Sequence, residues 1–177
     1  MSELGTIVDA LKQGKSIAYP TEGVWGLGCD PFNHEALKNL LSLKGRSKEK
    51  GFILIGSEIS HFDKFIDTAG HKKKLLSKWP GPHTWLVPCK LKPSILTGYK
   101  DKIALRLSSH KDIVSICSKF GGAIVSTSAN KTGEPSISSY EEIMRAFPGI
   151  AILKGSLGEE IKASRIQDLI TDKIIRS

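Results

Sequence analysis

Two short clusters of polar side chains lie at the ends of segments with regular secondary-structure patterns. Lys44 and Arg46 follow a helical pattern, and Ser128 and Asn130 follow an apolar run. A lysine point charge and an arginine fork neutralise phosphate or carboxylate oxygens, while a hydroxyl and an amide orient them. No Ser/His/Asp or Cys/His set can be assembled from the sequence. The residue types therefore favour binding and stabilising anions over general acid and base chemistry.

A third cluster begins at Thr21, directly after Pro20 ends an apolar run. Gly23, Gly26 and Gly28 follow within six positions, and such glycines expose backbone amides and let a ligand approach closely. A small polar ligand fits this stretch. A glycine-rich β-turn that binds nothing is the alternative interpretation.

The elements around these clusters alternate between strand and helix patterns, which predicts an α/β fold with a twisted, mixed sheet. Helices are predicted over Thr6–Lys12, from an Asn33 N-cap to Gly45, and over Ser57–Ile66, His71–Trp79, His110–Phe120 and Ser139–Phe147. Strands are predicted over Ser16–Tyr19, Gly51–Gly56, His83–Cys89, Ile103–Leu107, Ala123–Thr127 and Ile150–Leu153, with two more in Ser164–Ile175. Ligands of open α/β sheets bind outside strand ends, so we expect the clusters to converge on one cleft there.

Bulk properties restrict the class of protein. The 177 residues fit a single domain over 1–177, and the net charge of +8 predicts a surface that attracts polyanions. No apolar stretch reaches 18 residues and no secretory leader pattern is present, which predicts a cytoplasmic protein without a membrane span. Three widely spaced cysteines fit reduced, buried thiols better than disulfides or zinc. We also expect no histidine-based metal cage.

Two apparent motifs fail on their context. Gly14, Lys15 and Ser16 spell the end of a phosphate-binding P-loop, but a helix precedes a strand here, the reverse of the required order. The segments Ser47–Lys50 and Ser128–Gly133 contain the SxxK, SxN and KTG patterns of penicillin-recognising enzymes. In those enzymes KTG lies on a distant strand, whereas here it adjoins SxN in a Gly/Pro loop, so this interpretation is disfavoured.

Six segments together resemble one family. They read YPTEGVWGLGCDP, LKGRSKEKGFILI, WPGPHTWLVP, IALRLSSH, STSANKTGEPS and SRIQDL, in this order from residue 16 nearly to the end. They resemble the YrdC/TsaC family of single-domain bacterial threonylcarbamoyl-AMP synthases. The resemblance implies a YrdC-like fold, an open sheet with a positively charged concave face. It also implies a nucleotidyltransferase that joins L-threonine, bicarbonate or CO₂, and ATP into threonylcarbamoyl-AMP and pyrophosphate.

The resemblance also implies roles for individual residues. The family's KxR and SxN pattern falls on Lys44, Arg46, Ser128 and Asn130, where Lys44 and Arg46 would stabilise charge in the transition state. Further ATP contacts fall on Lys50, Ser136 and Arg176. Threonine contacts fall on Thr21, Gly23, Arg106, Ser126 and Ser164, with Arg106 pairing with the carboxylate.

The chain departs from the family's pattern at several positions. The family often has a second threonine at Gly23 and a histidine at Ile55, so side-chain contacts from those positions to threonine are lost here. The family often has proline at the position of Ser47, and Lys-Pro where this chain has Lys50 and Gly51. The predicted phosphate contacts are unaffected by these differences.

Cofactor and partners follow from the same resemblance. Mg²⁺ would arrive with ATP, since no protein ligand for it is evident. The product would pass to a threonylcarbamoyl transferase complex of the TsaD/TsaB/TsaE type, which modifies an adenosine beside the anticodon of certain tRNAs. The alternative is a protein that binds double-stranded RNA or tRNA without catalysis, with an affinity that falls steeply with salt. RNA contact and synthesis are compatible with each other.

Overall fold

The structure, a computed structural model, describes residues 2–158 and 164–177. The helices are α1 (Glu3–Lys12), α2 (His34–Lys44), α3 (Thr68–Leu76), α4 (Lys111–Phe120) and α5 (Tyr140–Ala146). The strands are β1 (Ile17–Pro20), β2 (Trp25–Gly28), β3 (Ile53–Gly56), β4 (His83–Pro88), β5 (Lys102–Leu107), β6 (Ile124–Ser128), β7 (Ala151–Ile152), β8 (Arg165–Asp168) and β9 (Ile174–Arg176). Two short 3-10 turns cover Lys48–Lys50 and Ile59–Phe62.

The described strands form one mixed sheet in the order β7-β1-β2-β6-β3-β5-β4-β8-β9. β1 pairs with β7, β3 with β5 and β4 with β8 in parallel, and the other neighbours are antiparallel. The predicted α/β class with a mixed sheet and flanking helices is therefore confirmed.

Local side-chain chemistry sets the helix ends. The Asn33 side chain accepts a hydrogen bond from the Ala36 amide at 3.0 Å, and Gly45 ends α2 with φ of 56°, as the sequence predicts. Ser139 and Glu142 form a complete capping box at the start of α5. None of the described helices is long and apolar enough to cross a membrane.

The helices cover the two faces of the sheet unequally. Apolar residues of α2, α3 and α5, including Leu40, Leu75 and Ile143, pack in the larger core cluster on one face. The opposite face carries a smaller cluster in which α1 and α4 pack on β1, β3 and β6. Along β5 the positions that face this second side, Lys102, Ala104 and Arg106, are only half-buried. None of the described helices therefore covers this part of the sheet, which leaves it available to a ligand.

The structure departs from the sequence predictions at two places. No strand is predicted over the glycine stretch, but Gly26 and Gly28 lie in β2, which pairs antiparallel with β1 in a hairpin. The missing side chains leave room for the buried ring of Tyr19, which lies across both glycines. The helix predicted over Ser57–Ile66 is a single 3-10 turn, and no side chain caps it. Since uncapped short helices are marginal, the apolar residues there pack without a regular helix.

We expect Gly28→Ala to lower the free energy of unfolding by about 3 kcal/mol. A Cβ at Gly28 would stand 2.3 Å from the Val125 carbonyl oxygen and 3.0 Å from the Tyr19 ring, and the backbone of a neighbouring strand cannot move aside. Urea denaturation measures the loss. Gly122→Ala is the matched control, because a Cβ there meets nothing within 4 Å. Equal stability of the two variants would contradict this packing argument.

Candidate active site

A cleft of about 170 Å³ opens on the part of the sheet that α1 and α4 leave uncovered. We call it the central cleft. It is lined by Thr21, Val24, Gly26, Arg46, Ile53, Ile55, Arg106, Ser126, Thr127, Ser128, Ser136, Ser164 and Arg176. The strands β2, β6, β3 and β5 supply its floor, so the cleft lies across the face of the sheet rather than outside the strand ends.

Most residues predicted for the site line this cleft, although they come from distant parts of the chain. Arg46, Ser128, Ser136 and Arg176 of the predicted ATP set are among the lining residues, as are Thr21, Arg106, Ser126 and Ser164 of the predicted threonine set. Lys44, Lys50, Asn130 and Gly23 are not lining residues. Their binding roles remain predictions.

Three guanidinium groups give the cleft its positive charge. Burial lowers the pKa of Arg46 and of Arg176 from the usual arginine value. Repulsion adds to this, since Arg176 lowers the pKa of Arg46 and Arg106 lowers that of Arg176. Because these cations repel one another at low dielectric, an anion bound between them would remove an unfavourable interaction.

Arg46 is oriented by the backbone that follows it. Its Nε and Nη2 atoms donate to the Gly51 carbonyl at 3.2 and 2.9 Å, and its guanidinium lies 5.7 Å from the centroid of the Phe52 ring. The Arg46 amide also donates to the Leu41 carbonyl across the Gly45 cap. The remaining guanidinium N–H groups have no partner in residues 2–158 and 164–177 and can bind a ligand. An arginine held in this way loses little entropy on binding.

Arg106 forms an ion pair with Glu22. Arg106 Nη2 lies 2.8 Å from Glu22 Oε2, and the two side chains are only 11% and 14% exposed. Ser108 Oγ donates to the other carboxylate oxygen of Glu22 at 2.6 Å, and Arg106 Nε donates to the Gly81 carbonyl. The Arg106 guanidinium is therefore held in place by Glu22 and the Gly81 carbonyl, and the Glu22 carboxylate compensates part of its charge.

We expect Glu22→Gln to lower the unfolding temperature by about 5 °C at low salt, equivalent to about 2 kcal/mol. The change leaves a mostly buried Arg106 charge beside Arg176 without its counter-charge. Sulfate should restore stability in this variant more than in the wild type, because a dianion in the cleft replaces the lost carboxylate. Thermal denaturation with and without sulfate measures both effects.

Glu35→Gln is the matched control for this change. It removes a carboxylate of the exposed pair with Lys38, which contributes little to stability. If the two variants melted alike and responded alike to sulfate, Glu22 would not be compensating the charge of the cleft.

Hydroxyl groups also line the central cleft. Thr21 Oγ1 donates to the Val24 carbonyl at 2.7 Å within the hairpin turn, which holds this side chain at the cleft. Ser164 Oγ shares a 2.7 Å hydrogen bond with Thr84 Oγ1. The Ser164 carbonyl accepts from Arg176 Nη2 at 2.7 Å, so one residue positions both a hydroxyl and a cation.

A second cavity adjoins the central cleft and differs in chemistry. This side cavity, of about 310 Å³, shares Arg46, Ile53 and Arg176 with the central cleft. Its other lining includes the apolar Phe52, Leu86, Ala104, Ile166 and Ile175, and the polar Lys50, Thr97, Lys100, Asp101 and Lys102. Together the two spaces suit a ligand with an anionic centre and a flat, partly apolar end.

Sequence reasoning missed several residues of the site. Glu22 follows Thr21 directly, but nothing in the sequence indicates that it pairs with Arg106, which lies 84 positions later on β5. Val24 and Ile53 contribute apolar surface. Alternation along β3 is the signal that could mark Ile53, whereas Val24 lies in the turn before β2 and has no such signal. Ile55, where the family often has histidine, places a hydrocarbon side chain in the cleft.

The donor set does not fit a protein-held metal. In residues 2–158 and 164–177 there is no group of three or more His, Cys, Asp or Glu side chains that would hold an ion. The lining of the central cleft is cationic, hydroxylic and apolar, whereas Mg²⁺ takes carboxylate and phosphate oxygens.

Comparison with known proteins gives close relatives over the whole chain. A family model, Sua5/YciO/YrdC, whose description is "Telomere recombination", matches residues 9–177. The threonylcarbamoyl-AMP synthase of Aliivibrio fischeri is 44% identical over 183 residues, which cover 99% of each chain. That of Pseudomonas fluorescens is 46% identical over 94% of this chain and 92% of the relative.

Solved structures agree with the fold. The structure of P. abyssi Sua5 complexed with L-threonine is similar with a TM-score of 0.85 and 26% identity, over 95% of this chain and 52% of that one. The present chain thus spans about half the length of that protein. The crystal structure of E. coli YciO has a TM-score of 0.82 at 21% identity, over 98% of this chain and 88% of that one, which supports the fold alone.

Proposed function

The chain belongs to the Sua5/YciO/YrdC family, and on that premise we propose that it is a threonylcarbamoyl-AMP synthase. The enzyme forms threonylcarbamoyl-AMP and pyrophosphate from L-threonine, bicarbonate or CO₂, and ATP. One observation carries the proposal: a cleft with three arginines and several hydroxyls, on a chain 44% identical to a synthase over its full length.

The geometry supports a division of the site between the substrates. We assign L-threonine to the end of the central cleft where Arg106 meets Thr21, Ser126 and Ser164, with its carboxylate on the guanidinium. The P. abyssi relative was solved with L-threonine, which agrees with an amino-acid site in this fold. The apolar surface of Val24 and Ile55 lies beside these groups and suits the threonine methyl.

ATP is assigned to the other end. Arg46 and Arg176 line both spaces, so a triphosphate between them would place the nucleoside in the side cavity and the α-phosphate towards threonine. Ser136 would orient phosphate oxygens, and so would Ser128 once its hydroxyl turns away from Asn130 Oδ1, to which it donates here. Lys50 would meet the nucleotide from the side cavity. Mg²⁺ is proposed to enter with ATP, held by the phosphates.

The proposed reaction has two steps. The neutral threonine amine attacks CO₂, a N–C bond forms and a proton passes to solvent, which gives a carbamate. A carbamate oxygen then attacks the α-phosphorus, and the bond to the β-phosphate oxygen breaks as pyrophosphate leaves. The field of three arginines favours the neutral amine over the ammonium and stabilises both the carbamate and the charge of the transition state.

Delivery of the product is a further part of the proposal. A transferase complex of the TsaD/TsaB/TsaE type would take threonylcarbamoyl-AMP and modify tRNA, in the cytoplasm. Direct contact of this chain with tRNA or double-stranded RNA remains a prediction from its charge.

Pyrophosphate release tests the proposed function. The purified protein is given Mg-ATP and bicarbonate, with and without L-threonine, and L-serine serves as the control. We expect release that requires both threonine and bicarbonate. Pyrophosphate release that does not depend on threonine would contradict the proposal. The absence of release from a protein shown to bind ATP would also contradict it, and would favour RNA binding without catalysis.

A further inference from the structure

Lys44 is the last residue of α2 and is almost completely buried, with 2% of its surface exposed. Its Nζ atom donates to the backbone carbonyl oxygens of Ser128 at 2.5 Å and of Asn130 at 2.6 Å. Its own carbonyl accepts from the Thr132 amide at 2.8 Å. Lys44 is thus bonded to residues more than 80 positions later in the chain at three points.

The partner of Lys44 is the turn over residues 128–134, which has its own internal hydrogen bonds. Ser128 Oγ donates to Asn130 Oδ1 at 2.6 Å, and Asn130 Nδ2 donates to the Glu134 carbonyl at 2.6 Å. The Asn130 side chain is therefore occupied within the turn. Ser128, at its start, lines the central cleft.

Burying the charged ammonium group of Lys44 costs free energy. Burial lowers the pKa of Lys44 to about 8, and the charge of Arg46 contributes to the same shift. Two carbonyl dipoles compensate a buried cation only in part, since no carboxylate faces it in the described residues. The sequence predicts that this lysine contacts phosphate directly. However, Lys44 lines neither the central cleft nor the side cavity.

We infer that Lys44 is a positioning residue: it fastens the 128–134 turn to the end of α2, so that Ser128 and Arg46 face the same part of the central cleft. This inference rests on the proposed function only in naming the nucleotide as the ligand of that part. Lys44 acts on the nucleotide through Ser128, and its ammonium group stays on the two carbonyls when the nucleotide binds.

Acylation of the wild-type protein tests the position of Lys44 without any substitution. Acetic anhydride modifies accessible amines, and peptide mass spectrometry reads each lysine. Lys44 should stay unmodified both with and without α,β-methylene-ATP, while the exposed Lys48 reacts in both states. Lys44 that reacts in the free protein and becomes protected by the analogue would overturn the inference.

A double-mutant cycle tests the route through Ser128. Lys44→Met keeps the unbranched stem of the side chain but removes its donors, and we expect it to lower kcat/KM for ATP about 100-fold. Ser128→Ala alone should cost about tenfold, and the double variant should lie within about threefold of Lys44→Met, because the two changes disable one element. The KM for L-threonine should change by no more than about twofold, since Arg106 and Thr21 are unaffected.

The contrary outcomes are distinct. Losses that multiply to about 1,000-fold in the double variant would show that Lys44 acts independently of Ser128. If Lys44→Met does not fold, the acylation pattern decides alone. That pattern needs no turnover, so a wild type that binds the analogue but releases no pyrophosphate would refute the proposed function and leave the position of Lys44 decided.

Discussion

Arg46→Ala should reduce threonine-dependent pyrophosphate release about 1,000-fold with little change in folding. Arg46 lines both the central cleft and the side cavity, and therefore stands where the α-phosphate must lie in the proposed complex. Its hydrogen bonds go to the single carbonyl of Gly51, so few structural contacts are lost. Steady-state kinetics with Mg-ATP, and circular dichroism for the fold, measure the two effects.

Two variants bracket this result. Arg46→Lys keeps a positive charge but loses the planar fork, and we expect an intermediate rate, because a point charge does not hold two phosphate oxygens at once. Arg145→Ala removes an exposed arginine of α5 that lines neither space, and should leave the rate unchanged. A full rate in Arg46→Ala would exclude a role of this residue in the reaction.

Arg106→Gln should raise the KM for L-threonine about 100-fold, equivalent to about 2.7 kcal/mol, while the affinity for ATP changes much less. Arg106 lines the central cleft but not the side cavity. Its loss removes the charge-assisted bonds to the substrate carboxylate. Isothermal titration with L-threonine and with an ATP analogue separates the two affinities.

The control for this variant concerns Glu22. Arg106→Gln alone leaves the Glu22 carboxylate mostly buried without its partner, which destabilises the fold. The pair Arg106→Gln with Glu22→Gln restores neutrality, and we expect its stability to exceed that of the single variant although threonine binding stays weak. Recovery of threonine binding in the pair would mean that Arg106 acts only through the fold.

The sequence predicted most of the architecture because local signals are strong where one face of an element is buried. Helix α2 is predicted from its apolar spacing, from Asn33 and from Gly45, and all three features are present. The strand β2 was missed because Gly26 and Gly28 carry no side chains whose alternation could be read. They are required by the Tyr19 ring, which comes from the neighbouring strand, and this is a tertiary contact.

The sequence by itself determined the class of chemistry. Clusters of arginine, hydroxyl and glycine, in the order that the family shares, predicted an anion site and named most of the residues that line the central cleft. Residue type and order can be read from the sequence without the fold, because a guanidinium is always charged and suits anions in any fold.

Only the tertiary structure decided which of these side chains face the ligand. Lys44 and Arg46 are two positions apart and both basic, yet one is bonded to buried carbonyls and the other lines the cleft. Glu22 gained its role from a partner 84 positions away. The reason is physical: burial, and the carbonyl or carboxylate that meets a charge there, arise from the packing of distant segments, which local patterns do not encode.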